Sequence, residues 1–135
     1  MKYFFFVLLI FISVVVSGQQ KSHKIVYEIN SADTAVQSTI FRQFNNILTV
    51  APDAQIEVVF HGQAITGLVK DKSFFAEKVN AAQQKGVVFA ACNNSLKRLK
   101  IDPALVLPGV IVVPVAILEL SAKQQEGWSY IKAGE

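Results

Sequence analysis

The sequence predicts an α/β domain, doubly wound about a mainly parallel five-stranded sheet. Two observations carry this reading. Apolar, β-rich runs alternate along the chain with segments whose apolar residues recur at helical spacing. The runs are also nearly continuous in apolar residues, as strands covered on both faces should be. No internal repeat, low-complexity tract or second domain interrupts the pattern.

The elements follow in order. Residues 24–29 (KIVYEI) read as a first strand. Ser31, Ala32 and Asp33 offer a helix cap. Val36, Ile40, Phe44, Ile47 and Leu48 then share one face of a helix over 32–50, stopped by Pro52. Residues 55–60 (QIEVVF) form a second strand ending at His61-Gly62, with a short helix over 64–69. Phe74, Phe75, Val79 and Ala82 mark a helix closed by Lys85-Gly86. A third strand covers 87–91, and a short helix covers 93–100. Pro103, Pro108 and Gly109 punctuate a loop before a fourth strand, 110–113, which Pro114 stops. A helix over 116–125 ends at Gly127, and 128–132 (WSYIK) reads as a short edge strand. Phe41, Phe44, Phe74 and Phe75 read as core or interface packing, and Trp128 as a seam between helix and sheet.

The chain of 135 residues is long enough for one domain with a real core. Its start stands apart. Lys2 precedes the apolar stretch FFFVLLIFISVVV, and small residues follow it at Ser17-Gly18. These are the parts of a signal peptide over 1–18, leaving 19–135 as the domain; an uncleaved N-terminal anchor is the alternative. A periplasmic or secreted location follows, with no stable membrane insertion after cleavage. The formal charge of +3 gives no reason to invoke nucleic acid. The single cysteine, Cys92, excludes an internal disulfide.

In a parallel sheet, ligands bind beyond the carboxyl ends of the strands. Asn30, His61-Gly62, Cys92-Asn93-Asn94 and Pro114 all fall there. Cys92 would stand at a helix N-terminus, where free N–H groups favour thiolate over thiol. The alternative is a small buried hydrophobe, as most free cysteines are. His61 would either orient a reactant on Cys92 or bond to backbone. One cysteine and two histidines make no metal set of usual spacing, so no metal is expected. No serine sits in a nucleophile elbow, and GQAITG lacks the lysine of a phosphate loop, so no cofactor is expected.

Four stretches carry a resemblance. They are His61-Gly62, residues 89–99 (FAACNNSLKRL), residues 107–110 (LPGV) and residues 124–131 (QQEGWSYI). Together they span most of 24–132, and the sequence resembles the DsrE/DsrF-like family. The resemblance implies a flavodoxin-like domain that forms homo-oligomers, often trimers or hexamers. It implies that Cys92 carries a persulfide and exchanges sulfur with a donor or acceptor protein. His61, Asn93 and Asn94 become candidate neighbours. One feature departs from the family, whose relay members usually work in the cytoplasm, whereas this chain carries an export-like segment.

The expectation is therefore an exported sulfur carrier or sulfurtransferase acting through Cys92. A non-catalytic module that binds a small ligand or a protein, and a thiol redox sensor, are the alternatives.

Overall fold

The computed structural model describes residues 22–134; the segment read as a signal peptide lies outside the described residues. Five strands alternate with helices. They are β1 (Lys24–Ile29), α1 (Thr34–Val50), β2 (Gln55–Phe60), α2 (Ala76–Gln84), β3 (Val88–Cys92), α3 (Asn93–Arg98), β4 (Ile111–Val113), α4 (Ala116–Gln125) and β5 (Ser129–Lys132). A 3₁₀ segment, Gly62–Leu68, links β2 to α2. All strand pairs are parallel, in the order β4-β3-β2-β1-β5. The expected final strand lies at the sheet edge but begins at Ser129, with Trp128 outside it.

Helix ends follow local chemistry. Asp33 caps α1 by accepting the Ala35 N–H at 2.8 Å. Helices α2, α3 and α4 close by one device. The second residue past the cap donates back into the last turn, as Val87 N–H to Ala82 O, Ile101 N–H to Leu96 O and Trp128 N–H to Lys123 O. Each closure needs a left-handed residue. Gly86 and Gly127 supply two of them, and Lys100 takes the third at φ 56°. That closure ends α3 at Arg98, two residues earlier than the spacing suggests. The third strand is likewise displaced by one residue. Cys92 is its last member and pairs with Val113.

The strand order fixes which helix covers which face. The chain steps from β1 through β4 in one direction, then returns across the sheet to β5. Right-handed crossovers therefore place α1, α2 and α3 on one face and α4 on the other. The first face is aromatic. Phe89 lies 6.2 Å, centroid to centroid, from each of Phe41, Phe44 and Phe60, and Tyr27 meets Phe44 edge-on at 5.6 Å. Phe75 joins this layer, but Phe74 is 83% exposed.

The second face is less apolar than the expectation of strands buried on both sides. Glu57 of β2 is buried beneath α4, paired with Lys123 Nζ at 2.9 Å. Lys123 also sits over the Trp128 ring at 4.7 Å, which fixes that tryptophan at the seam between α4 and β5.

Because Phe89 joins three aromatic rings at no solvent exposure, Phe89→Ala is expected to lower stability by about 3–5 kcal/mol. Urea unfolding followed by circular dichroism checks this. A loss below about 1 kcal/mol would show that the aromatic layer repacks freely.

Candidate functional site

Strands β3 and β4 are neighbours, and their following helices leave toward opposite faces. The two connections diverge there, and in parallel sheets such a point, beyond the carboxyl ends of both strands, is where ligands bind. Cys92, the last residue of β3, stands at it. Its sulfur accepts the Ala116 N–H, from the first turn of α4, at 3.4 Å. Cys92 is also the N-cap of α3, though its side chain closes no regular capping bond there.

Burial pushes the Cys92 thiol up, since the charged form loses water. The Ser95 hydroxyl and the N–H groups of Ala116, Ser95 and Asn94 oppose this and prevail. The net effect holds the thiol below its ordinary value. Helix N-terminal stabilisation is what the sequence suggests, but the amides come from two helices on opposite faces and act with the Ser95 hydroxyl.

Ser95 is the residue that sequence reasoning missed. It is buried, and its Oγ accepts the Gly62 N–H at 2.9 Å. The hydroxyl proton is then free for the sulfur, so the Gly62 amide, the Ser95 hydroxyl and Cys92 form one chain. Gly62 reaches this position at φ 58°, a conformation that strains any other residue. Its place in the first turn of a helix capped by Cys92 was the available signal for Ser95.

The other candidates gather around this chain. The Asn94 N–H donates to Pro114 O at 3.3 Å, which ties α3 to the end of β4. Asn30 lies beside Gly62, its carbonyl oxygen 3.4 Å from where a Gly62 Cβ would stand. Asn93 is half-buried, and Asn30, Asn94 and Pro114 are exposed at the rim. Asn30, Gly62, Cys92, Asn93, Asn94 and Pro114 therefore occupy one edge.

His61 follows Phe60, whose register partner is Ala91, so His61 and Cys92 end neighbouring strands. The His61 ring, however, is bonded to a carboxylate, with Nε2 2.7 Å from Glu28 Oε1. The Tyr130 hydroxyl donates to the other Glu28 oxygen. Burial raises the Glu28 carboxyl, but Tyr130, His61 and Lys132 together hold it below its ordinary value. The bond to Glu28 pushes the Tyr130 phenol up to about 12. Among the described residues no group of three or more His, Cys, Asp or Glu is placed to hold a metal ion.

A lone thiol at the switch point of a parallel sheet, activated by the amides of two helices, defines a doubly wound α/β protein with a single-cysteine site. A family model described as the DsrE/DsrF-like family matches residues 14–133, and the chain belongs to that family. Membership points to sulfur-relay type chemistry. No curated protein matches the chain significantly. Among solved structures, it is similar to a protein of unknown function from Methanobacterium thermoautotrophicum. Identity there is 28% and the TM-score 0.79, over 82% of this chain and 99% of that one. The ychN protein from E. coli shares 8% identity at a TM-score of 0.69, over 83% and 99%. A conserved protein of unknown function from Bacteroides thetaiotaomicron shares 14% at 0.66, over 81% and 93%. The last two likenesses speak to the fold alone.

Two outcomes follow from these proton equilibria. Alkylation of Cys92 by iodoacetamide is expected to titrate below the ~8.5 of a free thiol, and Ser95→Ala is expected to raise that midpoint. Lowering the folded value contributes stability that is full above the unfolded value and is lost as pH falls through the folded one. A midpoint at or above that of a free thiol would refute the hydrogen-bond account. For Tyr130, ultraviolet titration of the tyrosinate band should place its ionisation near pH 12, and Glu28→Gln should bring it back toward 10. An unmoved midpoint in that variant would show that Glu28 is not the cause.

Proposed function

We propose that this protein is a sulfane-sulfur carrier in which Cys92 accepts one sulfur atom and passes it on. The observation that carries the reading is the thiol itself, held below its ordinary value by Ser95 and by amides from α3 and α4. Family membership supplies the sulfur-relay context.

The chemistry needs no outside oxidant or reductant. The Cys92 thiolate attacks the terminal sulfur of a donor persulfide or thiosulfonate. A new S–S bond forms, the donor's own bond to that sulfur breaks, and the donor leaves as thiolate or sulfinate. An acceptor nucleophile then attacks the terminal sulfur of the Cys92 persulfide and releases the Cys92 thiolate. Amide and hydroxyl donors around the sulfur stabilise it in its role as leaving group.

The donor is a persulfide or thiosulfonate and the acceptor a thiol, on a protein or a small molecule, that reaches the rim formed by Asn30, Gly62, Asn93, Asn94 and Pro114. His61 ends the neighbouring strand but its ring is held by Glu28, so its part is to border this rim. A homo-oligomer of this chain fits the exposed apolar residues of β4 and α4, Ile111, Val112, Ile117 and Leu118, which flank the site. The apolar segment over 1–18 supports a periplasmic or secreted setting.

A second reading has one observation in its favour. Cys92 is only 4% exposed, as a residue in the wall of a non-catalytic binding module would be.

Intact mass spectrometry, before and after incubation with a sulfane-sulfur donor, separates the two. The carrier gains one sulfur atom that reductant removes, and Cys92→Ser gains none. A Cys92→Ser protein that still passes sulfur to an acceptor would refute the mechanism. A thiol that resists both sulfur and alkylation would favour the binding module.

A further inference from the structure

The aromatic face of the molecule carries a feature that the sulfur chemistry does not use. A cavity of about 350 Å³ opens between α1 and α2. Its floor is apolar, made by Phe41, Phe44, Leu48, Ala82 and Val87. A depression of about 440 Å³ continues it past Ser38 to Phe74 and Phe75. Another, of about 520 Å³, continues it past Asn45 and Leu48 to Thr49 and Pro52. The three form one groove along α1, of the size that takes a drug-sized ligand.

Charge decides what fits. Arg42, Lys78 and Lys85 line the central cavity, and no aspartate or glutamate lines any part of the groove. None of the three cations forms a salt bridge among the described residues. Lys85 bonds only a neutral partner, Asn45 Oδ1, at 2.8 Å. Lys78 lies over the Phe75 ring at 5.7 Å. Three positive charges beside an apolar floor, with no anion to meet them, complement a ligand that is apolar along its body and negative at one end. The three parts follow α1 from Thr34 to Pro52, which favours a chain over a compact ring system.

We propose that the α1–α2 groove is a binding site for an elongated amphiphilic carboxylate, of the acyl-chain class. The hydrocarbon lies on Phe41, Phe44 and Leu48, with Phe74 and Phe75 beyond, and the carboxylate is held by Arg42, Lys78 and Lys85. The site is on the sheet face opposite α4, and its occupancy does not depend on Cys92.

The test is isothermal titration calorimetry of the protein with dodecanoate below its micellar concentration. One saturable site is expected, with acetate showing no measurable binding and neutral dodecanol binding roughly tenfold more weakly. Arg42→Glu/Lys85→Glu is expected to weaken dodecanoate by at least about tenfold while the circular dichroism spectrum stays unchanged. Ala81→Trp, which fills the cavity mouth and leaves every cation in place, is expected to block binding and covers the case in which charge reversal disturbs the fold. Cys92→Ser is expected to bind as the parent does. Absence of saturable binding, or equal binding of dodecanoate and dodecanol, would overturn the proposal. So would full binding by the charge-reversed and Ala81→Trp proteins. A change of oligomeric state in the charge-reversed protein, with no dodecanoate bound by the parent, would make the groove an interface between copies and would equally overturn it.

Discussion

The reversal of direction after β4 is the constraint on which the site depends. Until β4 every crossover steps the same way across the sheet; the last one turns back to pair β5 with β1. One consequence is structural, since α4 must then cover the face that α1, α2 and α3 leave open. The other is electrostatic. Two helices begin side by side at the ends of β3 and β4 and leave in opposite directions. Their first-turn N–H groups have no partners within the helices. Side chains meet this need at other starts, as Asp33 does for α1 and Asp102 does for the short turn at Pro103–Leu105. At α3 and α4 no side-chain cap forms. There the Cys92 sulfur takes the Ala116 N–H, and Pro114 O takes that of Asn94. The Ser95 hydroxyl and these open helix ends together activate the thiol.

The two faces of the sheet do different work. The α1 side is a dry aromatic layer that fixes strand register through Phe89 and its neighbours. The α4 side holds ionisable groups. Glu57 has its Oε1 buried with no hydrogen-bond partner among the described residues, and burial pushes its carboxyl up against the pull of Lys123. A raised carboxyl favours the folded state most at low pH and loses that contribution as pH rises through the folded value. Lys123 therefore has a holding role. It keeps the C-terminal end of α4 on β2 and Trp128 while the N-terminal end presents Ala116 to the sulfur.

How much of this was legible in the sequence depended on the range of the interaction. Strands and helices were legible because periodicity is local, and two of the three left-handed helix ends announce themselves as Gly86 and Gly127. Lys100 does not, so α3 read two residues too long. The edge carrying Asn30, Gly62, Cys92 and Pro114 was legible as an edge, because parallel strands share their carboxyl ends whatever their order. The partners of those residues were not. Ser95 meets Gly62 across 33 positions, His61 meets Glu28 across 33, and Tyr130 meets Glu28 across 102. Each of these pairs depends on which strands are neighbours, and strand order is not written in local pattern. The partner of Glu57 is hidden for a related reason, since Lys123 lies 66 positions away on the helix that follows β4.

Activation and concealment of Cys92 have the same source. The donors that lower its ionisation are drawn from two helix ends and a buried serine, and packing them around the sulfur leaves the residue 4% exposed. Such a thiol is poorly disposed to form a disulfide with another protein, because that reaction must bring two Cβ atoms to within about 4 Å of each other. A sulfane sulfur makes no such demand. A persulfide moves the reacting atom about 2 Å beyond Sγ, so the exchanged atom is presented while the carrying atom stays enclosed. On the carrier reading, burial is selective. It discriminates against bulky thiol partners and admits a donor whose sulfur is terminal. The burial that limits general reactivity is then the feature that restricts the thiol to sulfur transfer.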